Sequence, residues 1–166
     1  HTERVGNLSK QLAIYLGMDD LESESIRLAA PLHDIGKIGI PDSILLKPAK
    51  LTTEEFSIMK AHTLIGKEIL SENQFPILKM GSEIAESHHE NWDGSGYPYG
   101  LRGHKIPIVG QIVSIVDVYD ALTHKRPYKN AWTIEESLLE IKNQSGKKFN
   151  PYLVEVFLKL ITNMDK

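Results

Sequence analysis

The sequence contains no cysteine. That excludes a disulfide framework and any thiolate metal site, and it is compatible with a cytoplasmic location. No apolar run is long enough to span a bilayer, and no signal peptide is visible. Basic charge is not in excess either. Nineteen Lys and Arg face 22 Asp and Glu, for a net charge of −3. There is thus no overall basic footprint for a nucleic acid polymer, and any anionic ligand must be held by local charges. Internal repeats and low-complexity segments are missing as well. What remains is an ordinary globular composition over 166 residues. That length fits one domain, able to bury roughly 70% of the surface of its unfolded chain. The first residue is His1, with a helical pattern already running. The expectation is one domain, residues 1–166, excised from a longer protein.

The patterning predicts an all-α fold of roughly seven to nine helices. Val5, Leu8, Leu12 and Tyr15 recur at three- and four-residue steps, as one face of a helix does, and Gly17 offers a stop. A second helix runs from about Leu21 into "RLAAPLHD", where Pro31 kinks it or begins a new turn. "IPDSILL" reads as a short turn or helix. Thr52 and Glu55 form a capping box for a helix reaching about His62, followed by another over "LIGKEIL". A further helix ends near the His88-His89 pair. Residues 90–106 read as loop, being rich in glycine and proline. "IVGQIVSIVDVYDALT" could be a strand by its Val and Ile content, but it is long for one and is taken as a buried helix. Thr133 and Glu136 make another capping box, Gly146 is a natural helix end, and Asn150-Pro151 looks like a helix start.

The chemistry lies in histidines and acids. His1, His33, Asp34, His62, His88, His89 and Asp117 sit at helix ends or within mainly apolar helices. Imidazole and carboxylate without thiol suit first-row metals such as iron, manganese or zinc. Seven ligands are too many for one tetrahedral site and about right for two ions bridged by a carboxylate. Such a pair, about 3.5–4 Å apart, can clamp a phosphodiester and activate water. A lone histidine is more often a surface or satisfied core residue, and His104 and His124, in polar loops, are read that way. For His33-Asp34 the bland alternative is a buried hydrogen-bonded pair. It loses ground once the double histidine and the acids of "VDVYD" join it. Lys37 follows Asp34 by three residues and can share its helix face; by spacing alone it is as readily a solvated lysine.

"HDIGK" (33–37) followed by "HHENWDGSGYP" (88–98) resembles the HD-GYP family, a branch of the HD superfamily of metal-dependent phosphohydrolases. The likeness covers nearly the whole chain and includes "GIPDSIL", "KAHTLIG", "VDVYDALT" and "RPYK". It implies a helical bundle and a bacterial cytoplasmic phosphodiesterase that opens cyclic di-GMP to pGpG and often GMP; some members act on cyclic GMP-AMP. It implies two or three divalent ions, often iron or manganese, with His33, Asp34, His62, His88, His89 and Asp117 as ligands and Asp34 bridging. His1 corresponds to a further ligand. Members with three metals carry a glutamate four residues before it. Lys37 corresponds to a lysine near the scissile phosphate, and Arg126 and Lys129 to a pair gripping the dinucleotide's phosphates. The likeness also implies a GYP loop of Asp93, Gly94, Gly96, Tyr97 and Pro98 beside the site. Its expected role is to shape the loop and fix its neighbours rather than to catalyse. In the family that loop is implicated in contacts with GGDEF-domain partners, and a regulatory region is fused upstream. Tyr128 and Trp132 are read as core residues in preference to guanine platforms.

Three other readings share these features. One is an HD phosphohydrolase for another nucleotide, which the GYP loop disfavours. Another is a di-iron oxygenase on the same scaffold. The third is a non-catalytic cyclic di-GMP binding module, which the complete ligand set disfavours.

Overall fold

The computed structural model describes residues 1–72, 74–124 and 131–164. Among them are eight helices of eight residues or more and one single turn, and no strand, which bears out the all-α reading. In chain order the helices are α1 (Thr2–Tyr15), α2 (Asp20–Ala29), the turn α3 (Asp42–Leu45), α4 (Thr53–Lys60), α5 (His62–Ser71), α6 (Pro76–Ser87), α7 (Ile108–Thr123), α8 (Ile134–Asn143) and α9 (Pro151–Met164). Short 3₁₀ turns cover Ala30–Leu32, Ile35–Gly39 and Gly103–Lys105.

Local sequence explains most boundaries. Both expected capping boxes form, Thr52 with Glu55 and Thr133 with Glu136. A third, Asp19 with Glu22, opens α2 one residue before the position expected from Leu21. Each satisfies amide N–H groups that a helix start would otherwise leave without acceptors. Pro31 falls in the 3₁₀ turn that follows α2, so the α-helix ends before it instead of bending through it. α8 stops at Asn143, short of Gly146; that glycine lies beyond the helix in a left-handed turn with φ +77°.

α7 is the central element. Every residue from Val109 to Val116 is buried, so no single face of it is polar over that stretch. α1 and α6 pack on it, α2 packs on α1 and α6, and α5 lies along α6. Val5, Leu12, Ile26, Ile84, Ile112, Ile115, Ile141 and Phe157 form the middle of the core. Each contributes about 1.5–3 kcal/mol through burial. Tyr15 departs from the expected inner face of α1 and is 44% exposed; small Ser9 and Ala13 are buried there instead.

One close approach sets up the site. The Ile35–Gly39 turn lies directly on the start of α5. A Cβ at Gly36 would stand 1.9 Å from the His62 carbonyl oxygen and 2.4 Å from the Gly66 nitrogen. Only glycine permits that contact, and it brings Asp34 beside His62.

Candidate metal centre

The seven ligand-type residues come together in two adjoining groups. Asp34, His62, His88 and His89 form one, and His1, His33 and Asp117 the other. Within each group the ligand atoms lie within 4.8 Å of one another. They are gathered from the turns after α2 (His33, Asp34), the start of α5 (His62), the end of α6 (His88, His89), α7 (Asp117) and the N-cap of α1 (His1).

Asp34 joins the groups. Its Oδ1 lies 3.4 Å from His62 Nε2 and 3.8 Å from His88 Nε2, while its Oδ2 lies 3.4 Å from His33 Nε2. Asp117 Oδ1 is 3.2 Å from His1 Nε2 and 3.8 Å from His33 Nε2.

The tautomers follow from the backbone. The Nδ1 atoms of His33 and His62 lie 2.8 and 2.7 Å from the carbonyls of Ala30 and Met59. His88 Nδ1 lies 3.1 Å from those of Ile84 and Ala85. A carbonyl can only accept, so in each ring Nδ1 carries the hydrogen and Nε2 presents a lone pair to the centre. Six buried side-chain polar atoms among the described residues lack a hydrogen-bond partner, and four are here: His33 Nε2, Asp34 Oδ1, His62 Nε2 and His88 Nε2. Lone-pair nitrogens facing a carboxylate oxygen at 3.4–3.8 Å repel unless a cation or proton lies between them. The donor set therefore fits divalent metal ions.

The electrostatics agree. Burial pulls the imidazoles of His62, His88 and His89 below their ordinary range, His89 to about 3, which keeps these nitrogens free of protons. Burial alone would raise the Asp34 carboxyl, but hydrogen bonds and charge from His33 and Lys37 outweigh it and hold it well below the usual range. His33 is opposed by burial too, yet Asp34 and Asp117 raise it. Lys37 donates to Asp34 Oδ2 with its side chain 40% exposed, so its ammonium sits at the mouth of the centre. That contact is made across a 3₁₀ turn, not along the α-helical face expected from spacing.

The GYP loop lies against the first group. Tyr97 stacks on His89, with ring centroids 4.7 Å apart and planes 26° from parallel. Asp93 is exposed and its carboxylate accepts from the Ser95 amide and hydroxyl. Gly94 has φ +84°, and a Cβ at Gly96 would stand 2.2 Å from the Asn91 nitrogen, which explains "GSG". The Tyr97–Pro98 peptide is cis. Arg126 and Lys129, together with Tyr128, lie outside the described residues.

Three supporting residues escaped the sequence reading. Glu90 is buried, and its carboxylate accepts from the amides of Tyr99 and Leu101, closing the loop. Its place in "HHE" was a signal, but its partners lie nine and eleven residues on. Asp120 lies 2.6 Å from His1 Nδ1 and binds Arg4. Its position one helical turn after Asp117 was the clue. Lys148 is half-buried and electrostatically coupled to Asp117 and His89, and its carbonyl accepts from the Trp92 amide. Nothing local marks it. His104 packs edge-on against Trp92, and His124 lies at the C-cap of α7, 3.3 Å from Asp120 Oδ1.

Comparison with known proteins agrees with this architecture. A family profile described as "HD domain" matches residues 1–153. A cyclic di-GMP phosphodiesterase of Thermotoga maritima is 58% identical over 160 residues, which are 96% of this chain and 44% of that protein. A 3'3'-cGAMP-specific phosphodiesterase 2 of Vibrio cholerae is 47% identical over 96% of this chain and 30% of its own length. Among solved structures, a cyclic GMP-AMP specific phosphodiesterase of V. cholerae, V-cGAP3, superposes with a TM-score of 0.75 at 22% identity. That match covers 98% of this chain and 44% of the other, and it bears on the fold alone. The chain belongs to the HD domain family, in its HD-GYP branch. It spans less than half the length of these curated relatives. No helix among the described residues is long and apolar enough to cross a membrane.

Proposed function

We propose that this chain is a metal-dependent phosphodiesterase domain that hydrolyses cyclic di-GMP to linear pGpG, with GMP as the product wherever the second phosphodiester is cut as well. The convergence of unpartnered imidazole and carboxylate atoms around Asp34 carries the reading. The substrate comes from relatives named for it.

Asp34, His62, His88 and His89 would hold one divalent ion, and His1, His33 and Asp117 a second, with Asp34 shared. Iron or manganese suits this donor set. Ions held by these residues would supply Lewis-acid polarisation of the phosphoryl oxygens and activation of a water. Water adds to one phosphorus, the bond from phosphorus to the ribose O3′ breaks, and that oxygen leaves with a proton. Lys37 stands at the mouth, where its ammonium can donate to a non-bridging oxygen as negative charge develops. Arg126 and Lys129 are assigned to the distal phosphate, arginine for its rigid two-pronged geometry. The exposed loop around Asp93 and Tyr99 is the face assigned to a GGDEF-domain partner, and the regulatory region is assigned upstream.

A second reading, cyclic GMP-AMP as substrate, is favoured by the relative at 47% identity named for that molecule. Anaerobic purification, elemental analysis and chromatography of products from both dinucleotides test the proposal. Two ions per chain with pGpG from cyclic di-GMP is the expected result. Faster turnover of cyclic GMP-AMP would favour the second reading. Tight binding without product in iron- or manganese-loaded protein would make this a binding module and overturn both.

A further inference from the structure

We propose that Tyr97 is a positioning residue whose ring fixes the His89 imidazole as a metal ligand. The inference rests on the metal reading above and assigns the loop tyrosine a role within it.

The argument starts from a difference among the histidines. His33, His62 and His88 are each locked by an Nδ1 contact to a backbone carbonyl. Among the described residues, no backbone carbonyl makes such a contact with His89. An imidazole without that second contact can turn about its side-chain bonds, and a turning ligand binds metal less tightly. What holds the His89 ring is packing against other rings. Tyr97 is the one that stacks on it, at 4.7 Å and 26°, while His88 lies tilted at 4.0 Å and 42° and His62 meets it edge-on at 5.1 Å. Tyr97 is itself fixed at both ends. Its amide donates to the His89 carbonyl at 3.1 Å, so loop and ligand move as one piece. Phe56 of α4 meets its ring edge-on at 6.1 Å, and the Lys60 ammonium stands 5.4 Å from its centroid. A column of rings thus runs from the surface of α4 through Tyr97 to the ligand.

The local backbone is built to deliver that ring. Gly96 lets the chain pass against the backbone of residues 89–91, and Glu90 closes the far side of the loop by accepting from Tyr99 and Leu101. Leucine at position 97 would fill similar space without a flat face to stack on His89. Phenylalanine would keep the face and lose only the hydroxyl.

The experiment uses manganese as the probe. Wild type, Tyr97→Phe and Tyr97→Leu are stripped, checked for intact folding by circular dichroism and metal-free melting, then titrated with Mn(II) against a chelator. Wild type should hold two ions. Tyr97→Phe should match it. Tyr97→Leu should bind one ion per chain about tenfold to a hundredfold more weakly, the range seen when support of a metal ligand is removed, and keep the other unchanged. Equal affinities in Tyr97→Leu and wild type would overturn the inference while leaving the metal reading intact. So would a loss in Tyr97→Phe as large as in Tyr97→Leu, which would move the role to the hydroxyl, and so would equal weakening of both ions. Wild type that binds no manganese would sink the metal reading itself and this inference with it.

Discussion

His1 Nδ1 and Asp120 Oδ2 lie 2.6 Å apart although 119 residues separate them in sequence. The contact ties the start of α1 to the last turn of α7, and it turns His1 Nε2 toward Asp117. Asp120 in turn is held by Arg4 through two hydrogen bonds. Asp120→Asn keeps the shape but removes the charge that orients the imidazole. Affinity for one ion per chain is expected to fall about tenfold to a hundredfold, with the Asp34 group unaffected. Chelator competition checks this; unchanged affinity for both ions would show that His1 is oriented without Asp120.

Asp34 shares its two oxygens between the groups, so its loss should reach both. Asp34→Ala is expected to abolish turnover and lower metal content at both positions. Without the carboxylate, two cations would face each other with less compensating charge. Elemental analysis of the purified variant decides the matter, and near-full metal content with retained activity would rule out a bridging role.

Gly36 tests the packing that aligns the two motifs. A Cβ there would lie 1.9 Å from the His62 carbonyl, against backbone that cannot swing away. Gly36→Ala must push the 3₁₀ turn off α5, at a cost of at least about 1–3 kcal/mol for overpacking. The melting temperature should fall by several degrees at roughly 2–4 °C per kcal/mol. Metal affinity should fall with it, since His62 and Asp34 move apart. A variant that melts with wild type would mean the turn can slide at no cost.

The buried imidazoles predict a pH dependence of the metal-free protein. Folding holds His62, His88 and His89 below their ordinary range, His89 at about 3. Unfolded imidazoles titrate near 6.5, so between about pH 6.5 and 3 the unfolded chain binds protons that the folded one refuses. Stability at these positions is therefore intact above about 6.5 and is lost as pH falls. His33, raised by Asp34 and Asp117 against burial, works in the opposite sense, but it is one against three. The metal-free melting temperature should be lower at pH 5.5 than at pH 7.5. A midpoint that holds or rises would contradict the assigned burial.

Much of this was legible from residue order alone. The capping boxes at Thr52 and Thr133 were readable because their partners lie three residues apart. The seven ligand-type residues that the structure gathers into two groups could be singled out because imidazole beside carboxylate is uncommon in apolar helices. α7 was ambiguous for a physical reason: it is buried on all sides from Val109 to Val116, so no polar face reports a helical period. Lys148 was invisible, since it reaches the site only when the segment after α8 docks on Trp92. Glu90 was in plain view, but its partners are main-chain amides, which no side-chain pattern reveals.

The two ligand groups differ in how much chain each requires. The Asp34 group is drawn from residues 34 to 89, while the other needs His1 at one end and Asp117 at the other. A ribosome releasing this domain therefore completes the first ligand set 28 residues (117 − 89) before the second. An ion assigned to the first group would find all its ligands on the stretch from residue 34 to 89, whereas one assigned to the second would need His1 and Asp117 brought together from 116 residues apart (117 − 1). A chain truncated between His89 and Asp117 would keep all four residues of the first group but only His1 and His33 of the second.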